Sequence, residues 1–175
     1  VLEYGVGTGR NLAALVCREK IGYDVAESVR SIVTMHGIRF VDEVASVEDC
    51  SIDSTICHHV LEHVTDPYKT LEDIRRVTRP GGKLLAFAPY EFERRYQEFN
   101  PNDSDMHLFS WTVQSLGALL ESATFHVKEA KLGPFGYEWF AARHAFLGEW
   151  GYRRLLTILR ALRPVHEIRI VAERP

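Results

Sequence analysis

The chain has 175 residues, 46% hydrophobic and 26% charged, a balance that suits one globular domain with a sizeable core and excludes a disordered polymer. Its net charge of −3 is uneven, with 13 Lys and Arg against 20 Asp and Glu in residues 1–130 and 8 against 4 in residues 131–175, so no nucleic-acid platform is indicated. No apolar run approaches the roughly 18–20 residues needed to cross a bilayer and no basic-then-apolar leader opens the chain, so no membrane span is expected and the cytoplasm is the default location.

The first element is a short strand that breaks at Gly5-Val6-Gly7-Thr8-Gly9 into an amphipathic pattern, which reads as strand, tight turn, helix. Glycines at alternate positions admit backbone angles closed to other residues and remove the Cβ atoms that would keep a ligand off the main chain. The N–H groups of the following helix then face whatever binds there. The spacing is G-x-G-x-G. A dinucleotide fingerprint would have its third glycine where Arg10 stands, and a Walker loop would carry a Lys, so a nucleotide-dependent oxidoreductase is the weaker alternative. Asn11, Leu12, Leu15 and Val16 keep helical spacing as far as Lys20, and Ile21 to Val25 reads as a second strand. Asp24 falls near its end, about 20 residues after the turn, where a carboxylate can accept both hydroxyls of a ribose.

Ala26 to Met35 reads as a helix closed by Gly37, and Ile38 to Val41 as a third strand with Asp42 and Glu43 at its end. Ile52 to Cys57 is the fourth strand. Asp66 before Pro67 marks a helix start, Leu71, Ile74 and Val77 form its apolar stripe, and Pro80-Gly81-Gly82 turns the chain into a fifth strand, Leu84 to Ala88. Cys17, Cys50 and Cys57 lack C-x-x-C spacing and are expected to be buried, reduced thiols. His59-Val60-Leu61-Glu62-His63 satisfies the H-x-x-E-H zinc-protease pattern, but that chemistry needs an established helix, and these residues fall in a strand-to-helix loop; no metal is therefore expected. His58 and His59, at the carboxyl end of the fourth strand, are placed instead to border a ligand.

Residues 89–110 lack periodicity and are crowded with polar and aromatic side chains, among them Tyr90, Glu91, Arg94, Arg95, Tyr96 and Asp105. A loop of that length in a compact domain is usually functional. Trp111 to Leu120 makes an amphipathic helix and Phe125 to Leu132 a sixth strand. An aromatic group follows, including Phe135, Tyr137, Trp139, Phe140, Phe146 and Trp150, whose readings are core packing, an apolar substrate wall, or a homodimer contact through residues 135–152. Tyr152, Leu155, Leu156, Leu159 and Leu162 form a helical stripe opposite Arg153, Arg154, Arg160 and Arg163, and Val165 to Ala172 closes the chain as a strand.

Glu3 with Gly5, Gly7 and Gly9 resembles motif I of the class I S-adenosylmethionine-dependent methyltransferases, an acid followed by G-x-G-x-G. The run Leu61-Glu62-His63-Val64-Thr65-Asp66-Pro67, then Arg76-Val77-Thr78-Arg79-Pro80-Gly81-Gly82, resembles their L-E-H-V-x-D-P and R-V-x-x-P-G-G elements, so the likeness covers roughly residues 1–90. The resemblance implies a doubly wound, Rossmann-like α/β sheet in the order 3-2-1-4-5-7-6 with the seventh strand antiparallel, where periodicity alone gives only a doubly wound domain. It implies a single S-adenosylmethionine-binding domain over 1–175, with 89–110 and 133–163 as acceptor-site or cap insertions. An upstream helical segment is also expected, since Val1 already lies in the first strand.

The implied activity is methyl transfer from S-adenosylmethionine, leaving S-adenosylhomocysteine, to a small-molecule acceptor; a non-catalytic partner protein of the same fold is the other reading. In the implied site Glu3 stands near the methionine ammonium, Gly5, Gly7 and Gly9 receive the methionine part, and Asp24 holds the ribose. One of Val41, Asp42 and Glu43 edges the adenine, and His58 and His59 close the site. His107-Leu108-Phe109-Ser110 resembles the family's H-x-x-F/Y-[ST] element, which makes His107 the candidate catalytic residue on the acceptor side, an imidazole suited to proton transfer near neutral pH. Where the family joins helix and sixth strand by an Ala-Gly-Phe turn, this chain has Ala123-Thr124-Phe125.

Overall fold

The computed structural model describes residues 1–91, 99–137, 143, 144, 146, 148–162 and 165–175. Seven strands form one sheet: β1 (Leu2–Tyr4), β2 (Ile21–Tyr23), β3 (Arg39–Val41), β4 (Ile52–His58), β5 (Thr78–Pro89), β6 (His126–Pro134) and β7 (His166–Glu173). Their order is β3-β2-β1-β4-β5-β7-β6, and β7 runs antiparallel to both neighbours. This is the sheet that the methyltransferase resemblance implies. The order reverses between β1 and β4, so the carboxyl ends of those two strands open the crevice in which such sheets bind ligands.

The helices among the described residues are α1 (Arg10–Ala13), α2 (Arg30–Met35), α3 (Pro67–Val77), α4 (Val113–Ser122) and α5 (Gly148–Leu162). Helix α3 begins where its sequence says it should: the Asp66 carboxylate accepts the Lys69 N–H at 2.9 Å, with Pro67 in the first turn. Leu71, Ile74 and Val77 are buried along one face, packed into cores that also take Leu84, Ala86 and Ile170 on one side and Leu2, Ile21 and Val41 on the other. A reciprocal box starts α4, with the Ser115 N–H donating to the Thr112 hydroxyl and the Thr112 N–H to the Ser115 hydroxyl, each at 3.0 Å.

Several expectations are corrected. Helix α1 has four residues instead of reaching Lys20: Leu12 is buried, but Leu15 and Val16 are exposed, and a stripe without packing beneath it does not sustain a helix. Strand β2 stops at Tyr23, because the Tyr23 carbonyl accepts the N–H groups of Gly5 and Val6 at 2.8 Å and the chain turns there. A short 3-10 turn, Glu27–Val29, precedes α2. Strand β5 begins at Thr78, since Thr78 already pairs with Ile52; residues 79–82 bulge out before Lys83 pairs with Ser54. Cys57 is buried, but Cys17 is half-buried and Cys50 exposed. On α5, Tyr152, Leu155, Leu156 and Leu159 turn away from solvent, whereas Trp150 and Leu162, and Phe146 ahead of the helix, are exposed; Arg94, Arg95, Tyr96, Trp139, Phe140 and Arg163 lie outside the described residues.

Thr124 takes φ +61 in the turn between α4 and β6, a left-handed conformation that costs a β-branched residue about 1–2 kcal/mol. Thr124 is exposed, so its side chain recovers little by packing. Thr124→Gly is expected to stabilise the domain by about 1 kcal/mol, raising Tm by roughly 2–4 °C in a thermal melt.

Candidate functional site

A cavity of about 990 Å³ opens at the carboxyl ends of β1, β2 and β4, close to the upper size of small-molecule sites. The end of β1 and the glycine turn supply Glu3, Gly5 and Gly7; Asn11 comes from α1 and Asp24 follows β2. His58 and His59 end β4, and His63 to Thr70 close the far wall.

Glu3 is 1% exposed. Its Oε1 accepts the Asn11 amide N–H at 2.6 Å, while Oε2 is buried with no hydrogen-bond partner among the described residues. Burial pushes this carboxyl above the ordinary carboxylate range, against the opposing effects of Asn11, His58 and the Leu12 backbone. A buried acceptor without a donor costs about 1–3 kcal/mol, more when charged, and a cation brought to it would relieve that cost.

Two glycines of the turn serve different ends. At Gly5, φ +77, a Cβ would stand 2.2 Å from Val60 Cγ2, so the missing side chain is what lets the turn lie against the loop after β4. At Gly7, φ +49, a Cβ would meet no atom within 4 Å and would project into open space at the cavity wall. The Gly7 N–H donates to Asp24 Oδ2 at 2.8 Å and the Ala26 N–H to Oδ1 at 2.9 Å, so Asp24 fastens the turn to the end of β2 as well as facing the cavity.

His58 and His59 stack with ring centroids 4.3 Å apart and planes inclined by 2°. Both face Glu167 of β7, their Nε2 atoms 3.6 and 3.4 Å from its Oε2, while its Oε1 accepts from Arg169 Nε at 2.8 Å. The Glu167 side chain is 5% exposed. Burial alone pushes its carboxyl up, but the facing imidazoles and the Arg169 guanidinium outweigh it and hold it at about 2. A depressed acid contributes stability that is fully present above its unfolded value of 4.5 and lost as pH falls from there toward about 2. The loss amounts to about 3 kcal/mol. Melts across that window should show Glu167→Gln with a correspondingly shallower acid dependence than the parent.

The other sequence candidates lie elsewhere. Gly9 opens α1, packed toward Ile38, and does not line the cavity. Val41 is 6% exposed and belongs to the core with Leu2 and Ile21; Asp42 is exposed and ion-paired with Arg30. His107 lines a neighbouring cavity of about 180 Å³ with His59, Glu91, Asp105 and Phe135. Its Nδ1 lies 2.5 Å from Glu91 Oε1, and Glu91 Oε2 accepts the Ser110 hydroxyl at 2.7 Å. Sequence reasoning missed Tyr4, Asn11, His63, Lys69 and Glu167. Asn11 was findable as the polar residue two positions past the last glycine, in the first turn of α1. Tyr4, packed edge-on to Tyr23 at 4.8 Å, is pushed up to about 12, chiefly by burial, and remains a neutral phenol.

Residues 2–86 match the family described as a methyltransferase domain. That stretch is similar to the class I S-adenosylmethionine-dependent methyltransferases. It is 32% identical over 157 residues to the Mycolicibacterium smegmatis protein named "Probable S-adenosylmethionine-dependent methyltransferase", a match covering 82% of this chain and 59% of that one. It is 30% identical over 97 residues to a ubiquinone biosynthesis O-methyltransferase of Hahella chejuensis, covering 49% and 41%. The chain thus spans between two fifths and three fifths of the length of these relatives. Among solved structures, a SAM-dependent methyltransferase of Thermotoga maritima superposes with a TM-score of 0.70 at 20% identity, covering 99% of this chain and 81% of that one, a likeness of fold.

S-adenosylmethionine is the cofactor of this methyltransferase family, and the residues present suit it. The orphaned Glu3 oxygen suits an ammonium, the open face at Gly7 suits a close approach to main chain, and the fixed Asp24 carboxylate keeps lone pairs for hydroxyl donors. No helix among the described residues is long and apolar enough to cross a membrane.

Proposed function

We propose that the chain transfers a methyl group from S-adenosylmethionine to a small-molecule acceptor. The observation that carries this is the buried Glu3 carboxyl, with one oxygen unpartnered, beside the open face of Gly7 on a cavity large enough for a nucleoside and an amino-acid tail.

S-adenosylmethionine supplies a methyl carbon already activated by its sulfonium, which leaves the protein chiefly to position two reactants and exclude water. Glu3 holds the ammonium and Asp24 the ribose hydroxyls, with Asn11 and the Gly7 N–H keeping those two carboxylates in place. His58 and His59, stacked on each other and facing Glu167, border the reacting end. Residues 89–110 and 133–163 serve as the acceptor side of a single domain, through His107 and Phe135, the latter with its ring centroid 4.9 Å from that of His59. Phe146 and Trp150, both exposed, are the apolar surface available to a homodimer contact through residues 135–152.

Incubation with methyl-labelled S-adenosylmethionine and pooled small molecules tests the activity: label should move to a small acceptor. Label that stays on the cofactor across broad pools, in a protein that still binds S-adenosylhomocysteine, would favour the non-catalytic member of the fold.

A further inference from the structure

Glu62 is 0% exposed, and neither of its carboxylate oxygens has a hydrogen-bond partner among the described residues. Buried polar groups are nearly always satisfied, and one that is not calls for an unseen partner such as water or an ion. The surroundings indicate which. The Glu62 carbonyl accepts the N–H groups of Leu108 and Phe109 at 2.7 and 3.2 Å, which brings the segment carrying His107 against the loop that carries Glu62 and His63. The His63 and His107 rings meet edge-on with centroids 4.7 Å apart. One ligand-capable atom from each of Glu62, His63 and His107 lies within 4.8 Å of the others.

We propose that Glu62, His63 and His107 form a binding site for a divalent first-row transition cation. Two imidazoles and one carboxylate make a donor set for Zn²⁺, Mn²⁺ or Fe²⁺ that leaves coordination positions open. Glu91 completes the arrangement: it takes one ring nitrogen of His107 and is itself fixed by the Ser110 hydroxyl, the outer support that metal-bound histidines ordinarily have. The H-x-x-E-H pattern therefore carries a metal in an altered form, in which His107, 44 positions after His63, takes the place of His59.

A second group, His58, His59 and Glu167, has comparable donors and also contains a buried carboxylate oxygen without a hydrogen bond, Glu167 Oε2, but the other oxygen of that carboxylate already accepts from the Arg169 guanidinium. It serves as the control.

The site has a consequence for the acceptor, which rests on the methyl-transfer reading; metal binding itself does not. His63 lines the large cavity and His107 the small one, so an ion here stands between them. An acceptor hydroxyl ligated to it loses its proton to water. The oxygen lone pair then forms the new C–O bond as the C–S bond breaks, and that electron pair neutralises the sulfonium to a thioether. Acceptors of hydroxyl type follow.

The full chain, stripped with chelator and dialysed, should bind one Zn²⁺ in a calorimetric titration, and Co²⁺ should develop visible d–d bands. Glu62→Gln and His107→Ala should each weaken Zn²⁺ binding by at least about tenfold, and Glu91→Gln by about 10–100-fold, while Glu167→Gln leaves it unchanged. Thermal melts of the same variants establish that they fold. No stoichiometric Zn²⁺ binding, or loss in Glu167→Gln with retention in Glu62→Gln, overturns the assignment. If Zn²⁺ binds as described but label moves only to acceptors without a hydroxyl, the metal site stands and its hydroxyl consequence fails; if Zn²⁺ binds and no small molecule is methylated, the metal site stands and the methyl-transfer reading fails.

Discussion

Glu3→Gln is expected to weaken binding of S-adenosylhomocysteine by about 10–100-fold and at the same time to raise the melting temperature of the ligand-free protein at neutral pH. The first effect follows from removing the charge that a ligand ammonium would meet. A hydrogen bond to a charged group contributes about 1.5–3 kcal/mol, which sets the fold-change. The second follows from Glu3 being buried with one oxygen unpartnered and its carboxyl held above the ordinary range. An acid raised in the folded state costs nothing below its unfolded value; the cost appears as pH rises through that value toward the shifted one, and is fully present beyond it. Replacement by the neutral amide should therefore stabilise the protein at neutral pH, with the gain vanishing in acid below the ordinary carboxylate range. Calorimetry with S-adenosylhomocysteine and paired melts at the two pH values measure both halves. A destabilised variant with unchanged affinity would mean that Glu3 is a core residue and nothing more.

The second large effect separates the two glycines. Gly5→Ala places a Cβ 2.2 Å from Val60 Cγ2 in a backbone conformation that disfavours it, so strain and overpacking together should cost about 2–4 kcal/mol. At roughly 2–4 °C per kcal/mol that is a fall in Tm of about 5–15 °C. Gly7→Ala carries the backbone strain alone, about 1 kcal/mol, since nothing lies within 4 Å of its Cβ. Its cost should appear in affinity for S-adenosylhomocysteine, because Gly7 lines the cavity and its Cβ would occupy open space there. Equal losses of stability from the two substitutions would remove the distinction between a packing glycine and a binding one.

What could be read in the sequence was what local chemistry specifies. Asp66-Pro67 and Pro80-Gly81-Gly82 bracket α3 because a cap, a proline and a glycine turn each act within a few residues of themselves. The G-x-G-x-G turn with Glu3 is equally local. The order of the strands came from likeness to a family, since apolar periodicity carries no information about which strands are neighbours. Spacing misled at Leu15 and Val16, where a helical stripe had nothing to pack on, whereas the family likeness, which leaves Val41, Asp42 and Glu43 open beside the adenine, cannot tell that Val41 packs in the core. The polar clusters could not be read at all from one dimension: Glu167 meets His58 and His59 from β7, and His107 lies beside Glu62 and Glu91 although 45 and 16 positions from them in sequence. The one local signal near the second cluster is H-x-x-E-H, but the residue that joins Glu62 and His63 in space is His107, 44 positions after His63, which no local pattern marks.

Titration of the full chain with S-adenosylhomocysteine, and separately with NAD, followed by calorimetry, bears most directly on the account. It predicts one site for S-adenosylhomocysteine, weakened in Glu3→Gln, and no heat with NAD. Binding of NAD in that cavity, or no binding of S-adenosylhomocysteine by the folded parent protein, would contradict it.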